Sequence, residues 1–383
     1  MSGARPMSPG FSLWLDVLRA GAALTVLFGH MAHTRFTRGD YEVLRDWNLA
    51  SDAVVVFFVL SGVVIAYAAE RDGTLGRFAF HRLTRVLSVV APALVLTLLF
   101  DAIGQRLDLR AYQPPFFEAL PVAEMLWRGL SFSNEWQGLS DRVRLGSNGP
   151  LWSLSYEVAF YALFAIAFYL RGFLRWVLLA LGALLAGLPI LALMPCWLLG
   201  VALWHHIQRA LALPRSRAWA LALGGPVTLV ALKAAGLAPF LSALTAAAVA
   251  PASHHALLGY SDEVLWNTLL ALCVAAHLRG VHALCVGRTA PHRGRPARAV
   301  RWIAQGSFSL YVLHYPVLHL LDAGLPEALP GYDLWLLALT LLACFAFAAL
   351  FERRLPQQRA RLRQLWCRLH KPRSDRPERA LSG

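Results

Sequence analysis

Ten apolar runs divide the chain, at about residues 11–33, 51–69, 86–104, 151–170, 173–191, 195–208, 218–236, 264–278, 302–321 and 333–351. Most approach the roughly 20 apolar residues that a membrane-crossing helix needs. Short polar segments with arginine, glycine or proline separate them. The pattern predicts an all-α polytopic bundle of about ten transmembrane helices. An eleventh apolar patch, PFLSALTAAAVAPASHHALLGY from Pro239, is broken by proline, serine and histidine and is not expected to cross.

Charge sets the expected orientation. With a cytoplasmic N-terminus, Arg71, Arg77, Arg82 and Arg85 fall inside, followed by Arg171 and Arg175, then Arg209, Arg215 and Arg217. The six arginines from Arg279 to Arg301 and the tail also fall inside, whereas the segment from Gln105 to Pro150 balances five arginines against five acids. An even number of crossings with both termini cytoplasmic therefore obeys the positive-inside rule. A further crossing at 239–257 would put the loop 279–301 and the tail outside, against that rule.

Composition agrees with a membrane solvent. Hydrophobic residues make up 57% of the 383 and charged ones 15%, against about 25% charged in soluble domains; mean hydropathy is +0.51. The formal charge of +14 sits in blocks between apolar runs, which suits anionic lipid heads and excludes nucleic-acid binding for want of any groove-reading motif. Cys196, Cys273, Cys285, Cys344 and Cys367 are scattered and suggest neither a disulfide framework nor a metal site. The expected organisation is one membrane domain, 1–351, with a large external loop 105–150 able to fold back as a lid or interfacial helix and a basic cytoplasmic loop 279–301. A basic tail, 352–383, is expected to lack fixed structure. The first run lacks a small-residue cleavage site and is expected to be a retained helix, and no soluble catalytic domain is expected at either end.

The candidate chemistry begins at LDVLRAGAALTVLFGHMAH, residues 15–33. Ionisable residues inside a span must be paired or face water, so Asp16, Arg19 and His30 need a reason. Eleven helical steps separate Arg19 from His30, roughly 16 Å at 1.5 Å per residue. Asp16, three residues before Arg19, shares its face and could neutralise it. Headgroup anchoring by Asp16 and Arg19 is the plainer alternative. His33, three residues after His30, is expected to sit where the helix meets water.

Four later stretches, VVVFFVLSGVVIAY (54–67), FAFHRLTRVLSVVAP (78–92), NGPLWSLSYEVAFY (148–161) and GSFSLYVLHYP (306–316), follow the Asp16-x2-Arg19-x10-His30 block in order. Together these blocks resemble the signature of the membrane-bound acyltransferase 3 family, bacterial enzymes that O-acylate surface carbohydrates and other acceptors. The resemblance covers about residues 11–316. It implies that Arg19 and His30 are the family's essential pair and that Arg82-x2-Arg85 corresponds to its cytoplasmic motif for the acyl-CoA donor. Ser88 stands where the family often has proline, and His81 where it often has another basic residue.

The residues themselves allow this chemistry. A neutral His30 imidazole can take the proton of an attacking hydroxyl, or attack the thioester itself and carry the acyl group. Arg82 and Arg85, one turn apart, can clamp phosphate oxygens. Glu157, at the outer mouth of its helix, could orient an imidazole or bind a sugar hydroxyl, with Trp152 and Tyr156 offering faces to a sugar ring. Ser155 is a weaker candidate that can bond to backbone. Tyr311 and His314 share a helix face, and the resemblance makes His314 a site-lining residue. Ser61-Gly62 reads as close helix packing, and the pairs His205–His206 and His254–His255 as solvated surface.

The resulting expectation is an O-acyltransferase of the bacterial inner membrane. It would use acyl-CoA, acetyl-CoA above all, with no metal, and a carbohydrate or glycolipid acceptor. The resemblance also allows a separate extracytoplasmic transferase, since many family members carry a fused SGNH-type domain for which this chain has a basic tail instead. A transporter or flippase using Arg19 and His30 as an intramembrane relay is the alternative, although no inverted repeat is visible.

Overall fold

A computed structural model describes residues 6–209, 212–249, 254–287 and 294–369. Among them the chain is helical, with a single isolated β-bridge between Glu118 and Gly146. The helices are α1 (Pro9–Met31), the short α2 (Thr34–Thr37) and α3 (Glu42–Asp46), α4 (Leu49–Asp72), α5 (Leu75–Leu107), α6 (Val122–Ser131), α7 (Trp152–Tyr169) and α8 (Gly172–Arg209). Then come α9 (Arg215–Ala234), α10 (Leu237–Val249), the short α11 (His254–Leu258), α12 (Val264–Cys285), α13 (Arg295–Ala304), α14 (Ser307–Gly324), α15 (Tyr332–Leu350) and α16 (Leu355–Leu369).

Local chemistry sets several ends. The Ser8 side chain accepts from Phe11 N and Pro9 opens α1, filling the first turn with a cap and a residue that has no donor to satisfy. Gly73, at φ +71°, closes α4, and the Thr74 side chain caps α5, so two long helices meet in a tight hairpin. Where α4 crosses α8, a Cβ on Gly62 would overlap the Trp197 carbonyl and one on Gly200 would overlap the Val59 carbonyl. The two backbones touch there, which is the small-residue packing expected of Ser61-Gly62.

Among the described residues seven helices are long and apolar enough to cross a membrane, or up to eight if the bent pair α9–α10 is one span. That is fewer than the ten expected. The difference lies in α8, which carries two apolar runs in one helix, in α14, which is not long and apolar enough, and, at the lower count, in α9, which qualifies only together with α10. Within α8 the break falls at Gly187, at φ +82°, rather than between residues 191 and 195; Pro189 and Pro195 both remain inside helix. The patch from Pro239 is largely helical, as α10, bent by 71° against α9.

The loop 105–150 is part of the core. α6 packs on α5, with Gly129 against Leu94. Asp101 of α5 accepts from Ser147 N (3.1 Å) and Ser147 Oγ (2.5 Å), while Asn148 Nδ2 donates to Thr97 Oγ1 (3.1 Å) and to the Val312 carbonyl (3.0 Å). These bonds tie the residues before α7 to both α5 and α14. Gly138 N donates to the Leu185 carbonyl (3.1 Å), so the loop also covers the break in α8.

The tail departs from its expected lack of structure over Leu355–Leu369, which forms α16. Arg359 Nε donates to Thr84 Oγ1 (2.9 Å) and Nη2 to the His81 carbonyl (2.5 Å), docking α16 on the start of α5. The described residues of the basic loop 279–301 are largely helical, as the end of α12 and the start of α13. Its middle, 288–293, and the tail beyond 369 lie outside the described residues.

Candidate active site

α1 and α14 run side by side and bring together two imidazoles that are 284 residues apart in sequence. His30 Nδ1 lies 2.8 Å from His314 Nε2, with the rings nearly parallel at 10° and centroids 5.1 Å apart. His314 Nδ1 lies 2.9 Å from the Leu310 carbonyl and 2.8 Å from the Tyr311 carbonyl. A carbonyl only accepts, so Nδ1 of His314 carries the hydrogen and, in the neutral ring, its Nε2 accepts. His30 must then donate from Nδ1, which leaves the Nε2 lone pair of His30 unused; among the described residues it has no hydrogen-bond partner. His314 itself is 1% exposed, so the orienting imidazole is sealed while His30 lines a cavity.

That cavity, of about 430 Å³, is lined by His30, His33, Arg45, Trp152, Tyr260 and Tyr311, among others. Tyr315 packs edge-on against His30, centroids 4.8 Å apart. Trp152 stacks on Tyr260 at 4.2 Å and 8°. His33 is thus a wall of the site rather than a residue meeting bulk water. Its Nδ1 accepts from Arg35 N, and partial burial beside Arg45 and Arg35 pushes its imidazole down to about 4, leaving it uncharged at neutral pH.

A second, narrower cavity of about 160 Å³ lies toward the other end of α1. Arg19, Arg82, Arg85, Glu157 and Tyr161 line it, with Ser61 and Ser153. Arg19 and Asp16 pair loosely, at 3.6 Å. Among the described residues Arg82 and Arg85 form no ion pair, and the buried Arg82 Nε has no hydrogen-bond partner. Unpaired guanidiniums held in a cavity attract an anionic ligand strongly, since their own desolvation is otherwise uncompensated. Val54 and Tyr311 line both cavities. Tyr311 is fixed between them, its hydroxyl 2.5 Å from Ser153 Oγ and 3.2 Å from the Pro150 carbonyl.

Two expected placements are corrected. Glu157 does not stand at the mouth beside His30. It faces the arginine cavity, where its Oε1 accepts from Ser61 Oγ (2.6 Å) and Tyr161 OH (2.5 Å). The Gly149-Pro150 turn and first turn of α7 put Trp152 by His30, and five further residues carry Glu157 past Tyr311. Tyr156 is fully buried behind Trp152, ring centroids 5.1 Å apart, so it supports that ring instead of meeting a ligand. Ser155 donates to the Phe132 carbonyl (2.6 Å), a backbone bond across to the loop.

Sequence reading missed Ser61, Tyr161, Ser153 and Tyr260 as site residues. Tyr161 carried a usable signal, being one helical turn after Glu157. Ser61 sat in a block whose Gly62 explained it as packing. Tyr260 carried none, because its stacking partner is more than a hundred residues away.

The fold and these cavities define a polytopic helical membrane protein with an imidazole pair at the wall of one cavity and an arginine-lined second cavity that meets the first at Val54 and Tyr311. A family model described as an acyltransferase domain matches residues 12–349. The chain belongs to this acyltransferase 3 family and is a multi-pass membrane acyltransferase. Comparisons with the curated proteins and with the solved structures returned no match.

Proposed function

We propose that the protein is an O-acyltransferase of the bacterial cytoplasmic membrane, moving an acetyl group from cytoplasmic acetyl-CoA to a hydroxyl of a carbohydrate or glycolipid on the opposite face. The observation that carries this reading is the His314–His30 hydrogen-bond chain, which leaves a lone pair on His30 Nε2 in a cavity.

In this reading the CoA phosphates bind Arg82 and Arg85, with Arg19 closer to the membrane centre. The thioester arm runs along the narrow cavity to Val54 and Tyr311. An acceptor hydroxyl enters from the His30 side. His30 Nε2 takes its proton as the oxygen bonds to the thioester carbonyl carbon. Collapse of the tetrahedral adduct breaks the carbon–sulfur bond, and the CoA thiolate recovers the proton from the imidazolium. His314 accepts from His30 Nδ1–H throughout and favours the cation that forms. Glu157, with Ser61 and Tyr161, borders the donor path.

The orientation belongs to the same reading. Counting α8 as two crossings around Gly187, α9–α10 as one, and including α14 gives ten, with both termini cytoplasmic and the arginine cavity facing the CoA pool. Reporter fusions after Arg85 and after Gly138 should report opposite sides.

The deciding experiment supplies labelled acetyl-CoA and candidate glycans to purified protein in liposomes, comparing wild type with His30→Ala and Arg19→Ala. Acetyl transfer by the wild type that both variants lose is expected. Folded protein that neither binds acetyl-CoA nor transfers the label would overturn the proposal in favour of a transporter.

A further inference from the structure

A third cavity, of about 530 Å³, lies in the loop between α6 and α7 and shares Tyr260 with the His30 cavity. Its walls are Asn134, Glu135, Ser140, Arg142, Arg144 and Tyr260, with neighbours from the same loop and from the segment 256–259. It is mainly polar, in contrast to the bundle beneath it.

Three features mark it as built for a ligand. First, two glycines make room for its two cations. A Cβ on Gly149 would overlap the Arg144 guanidinium, and one on Gly259, whose φ is +56°, would overlap that of Arg142. Second, buried polar atoms remain unsatisfied: Glu135, 4% exposed, has no hydrogen-bond partner for Oε2, and Arg144 has none for Nε. Buried polar atoms are normally paired, so these two ask for a ligand group. Third, the two guanidiniums face a buried carboxyl, Glu135, and one solvent-exposed carboxylate, Asp141. Arg144 lies over the Tyr315 ring at 5.5 Å and forms no ion pair among the described residues. Arg142 Nη2 donates to the Ala256 carbonyl (3.1 Å). Burial pushes the Glu135 carboxyl up to about 8, so at neutral pH it offers a hydrogen to donate rather than a charge to cancel the arginines. Asp141, which also lines the cavity, is exposed to solvent.

The cavity is joined to the imidazole pair by two routes. Tyr260, stacked on Trp152, lines both spaces. Arg144 lies over Tyr315, which itself packs on His30. We infer that this cavity is the subsite for the acidic group of the acceptor, a sugar residue bearing a carboxylate or a phosphate. That group lies on Arg142 and Arg144, and the hydroxyl to be acylated passes Tyr260 toward His30. The inference deepens the proposed acyltransferase reading, on which it rests for the role of His30. Bidentate guanidinium pairing suits either planar or tetrahedral oxyanions.

The test uses the full chain in detergent without acetyl-CoA, titrated calorimetrically with methyl glucuronide, glucose 1-phosphate and methyl glucoside. At least one anionic probe should bind about tenfold or more tightly than the neutral glycoside, and increasingly weakly as salt is raised. Which anion binds tells carboxylate from phosphate. Arg144→Gln and Arg142→Gln should each remove that preference, whereas His30→Ala should keep it. If either variant fails to fold, the wild-type salt titration and the neutral comparison still decide. Equal affinity for neutral and anionic probes, no binding by either anion, or a preference that survives in both folded variants would overturn the subsite. These outcomes are separable from failure of the acyltransferase reading, which shows as absent acetyl transfer even where the anionic probe binds.

Discussion

His314 Nε2 lies 2.8 Å from His30 Nδ1 while His314 Nδ1 is held by two carbonyls of its own helix, so one buried imidazole sets the tautomer of another. His30→Ala should lower the acetyl-transfer rate by about 10²- to 10⁴-fold, the usual range for a lost general base. His314→Ala should lower kcat by roughly tenfold or more while leaving the KM for acetyl-CoA unchanged, since it acts through His30. Initial rates at varied acetyl-CoA check both. A KM effect alone would place His314 in donor binding instead.

Direct transfer should leave no acyl-enzyme. Mixing protein with acetyl-CoA in the absence of acceptor, followed by rapid acid quench and intact-mass measurement, should give unmodified protein. A stoichiometric acetyl adduct on His30 would make that ring the nucleophile and acyl carrier.

Arg82 and Arg85 line the narrow arginine cavity without ion-pair partners among the described residues. Replacing either by alanine should raise the KM for acetyl-CoA about tenfold, as expected for a charged hydrogen bond worth ~1.5–3 kcal/mol, with a smaller effect on kcat. Saturation curves at low and high salt measure this, and the variants should be less salt-sensitive than wild type.

Glu135 gives the loop a pH-dependent stability. Its carboxyl moves from an ordinary 4.5 to about 8 when buried, so between those pH values the folded protein holds a proton that the unfolded chain has released. Its contribution is complete below about pH 4.5 and is lost as pH rises toward about 8. Glu135→Gln should flatten the fall in Tm across that window by about a few °C, read by thermal denaturation in detergent. An unchanged slope would assign the pH dependence to other groups.

The contact of α4 with α8 should not tolerate side chains at either glycine. Gly62→Val or Gly200→Val would drive carbons into the facing carbonyls, costing ~1–3 kcal/mol or more from overpacking. Lower yields of monodisperse protein and reduced Tm are the expected outcome.

The sequence by itself determined the solvent and the class of fold. Long apolar runs satisfy their backbone internally only as helices in a membrane, and the ten runs are mostly helical, although 302–321 is divided by a turn at Gln305-Gly306 between α13 and α14. It also singled out His30, Arg19, Arg82, Arg85 and Tyr311, because charge and aromatic polarity stand out against an apolar background. It could not place them relative to one another. Glu157 moved from the outer mouth to the arginine cavity because a few helical residues cover several ångströms, and only the register of α7 against α4 and α14 says which cavity it reaches. Tyr156 looked available beside Trp152, yet neighbours in sequence need not share exposure when a helix is enclosed. The pairing of His30 with His314, the partition at Val54 and Tyr311, and the polar cavity under Arg142 and Arg144 join residues from separate helices and loops. Such contacts leave no periodic mark along the chain, so only tertiary packing decides them.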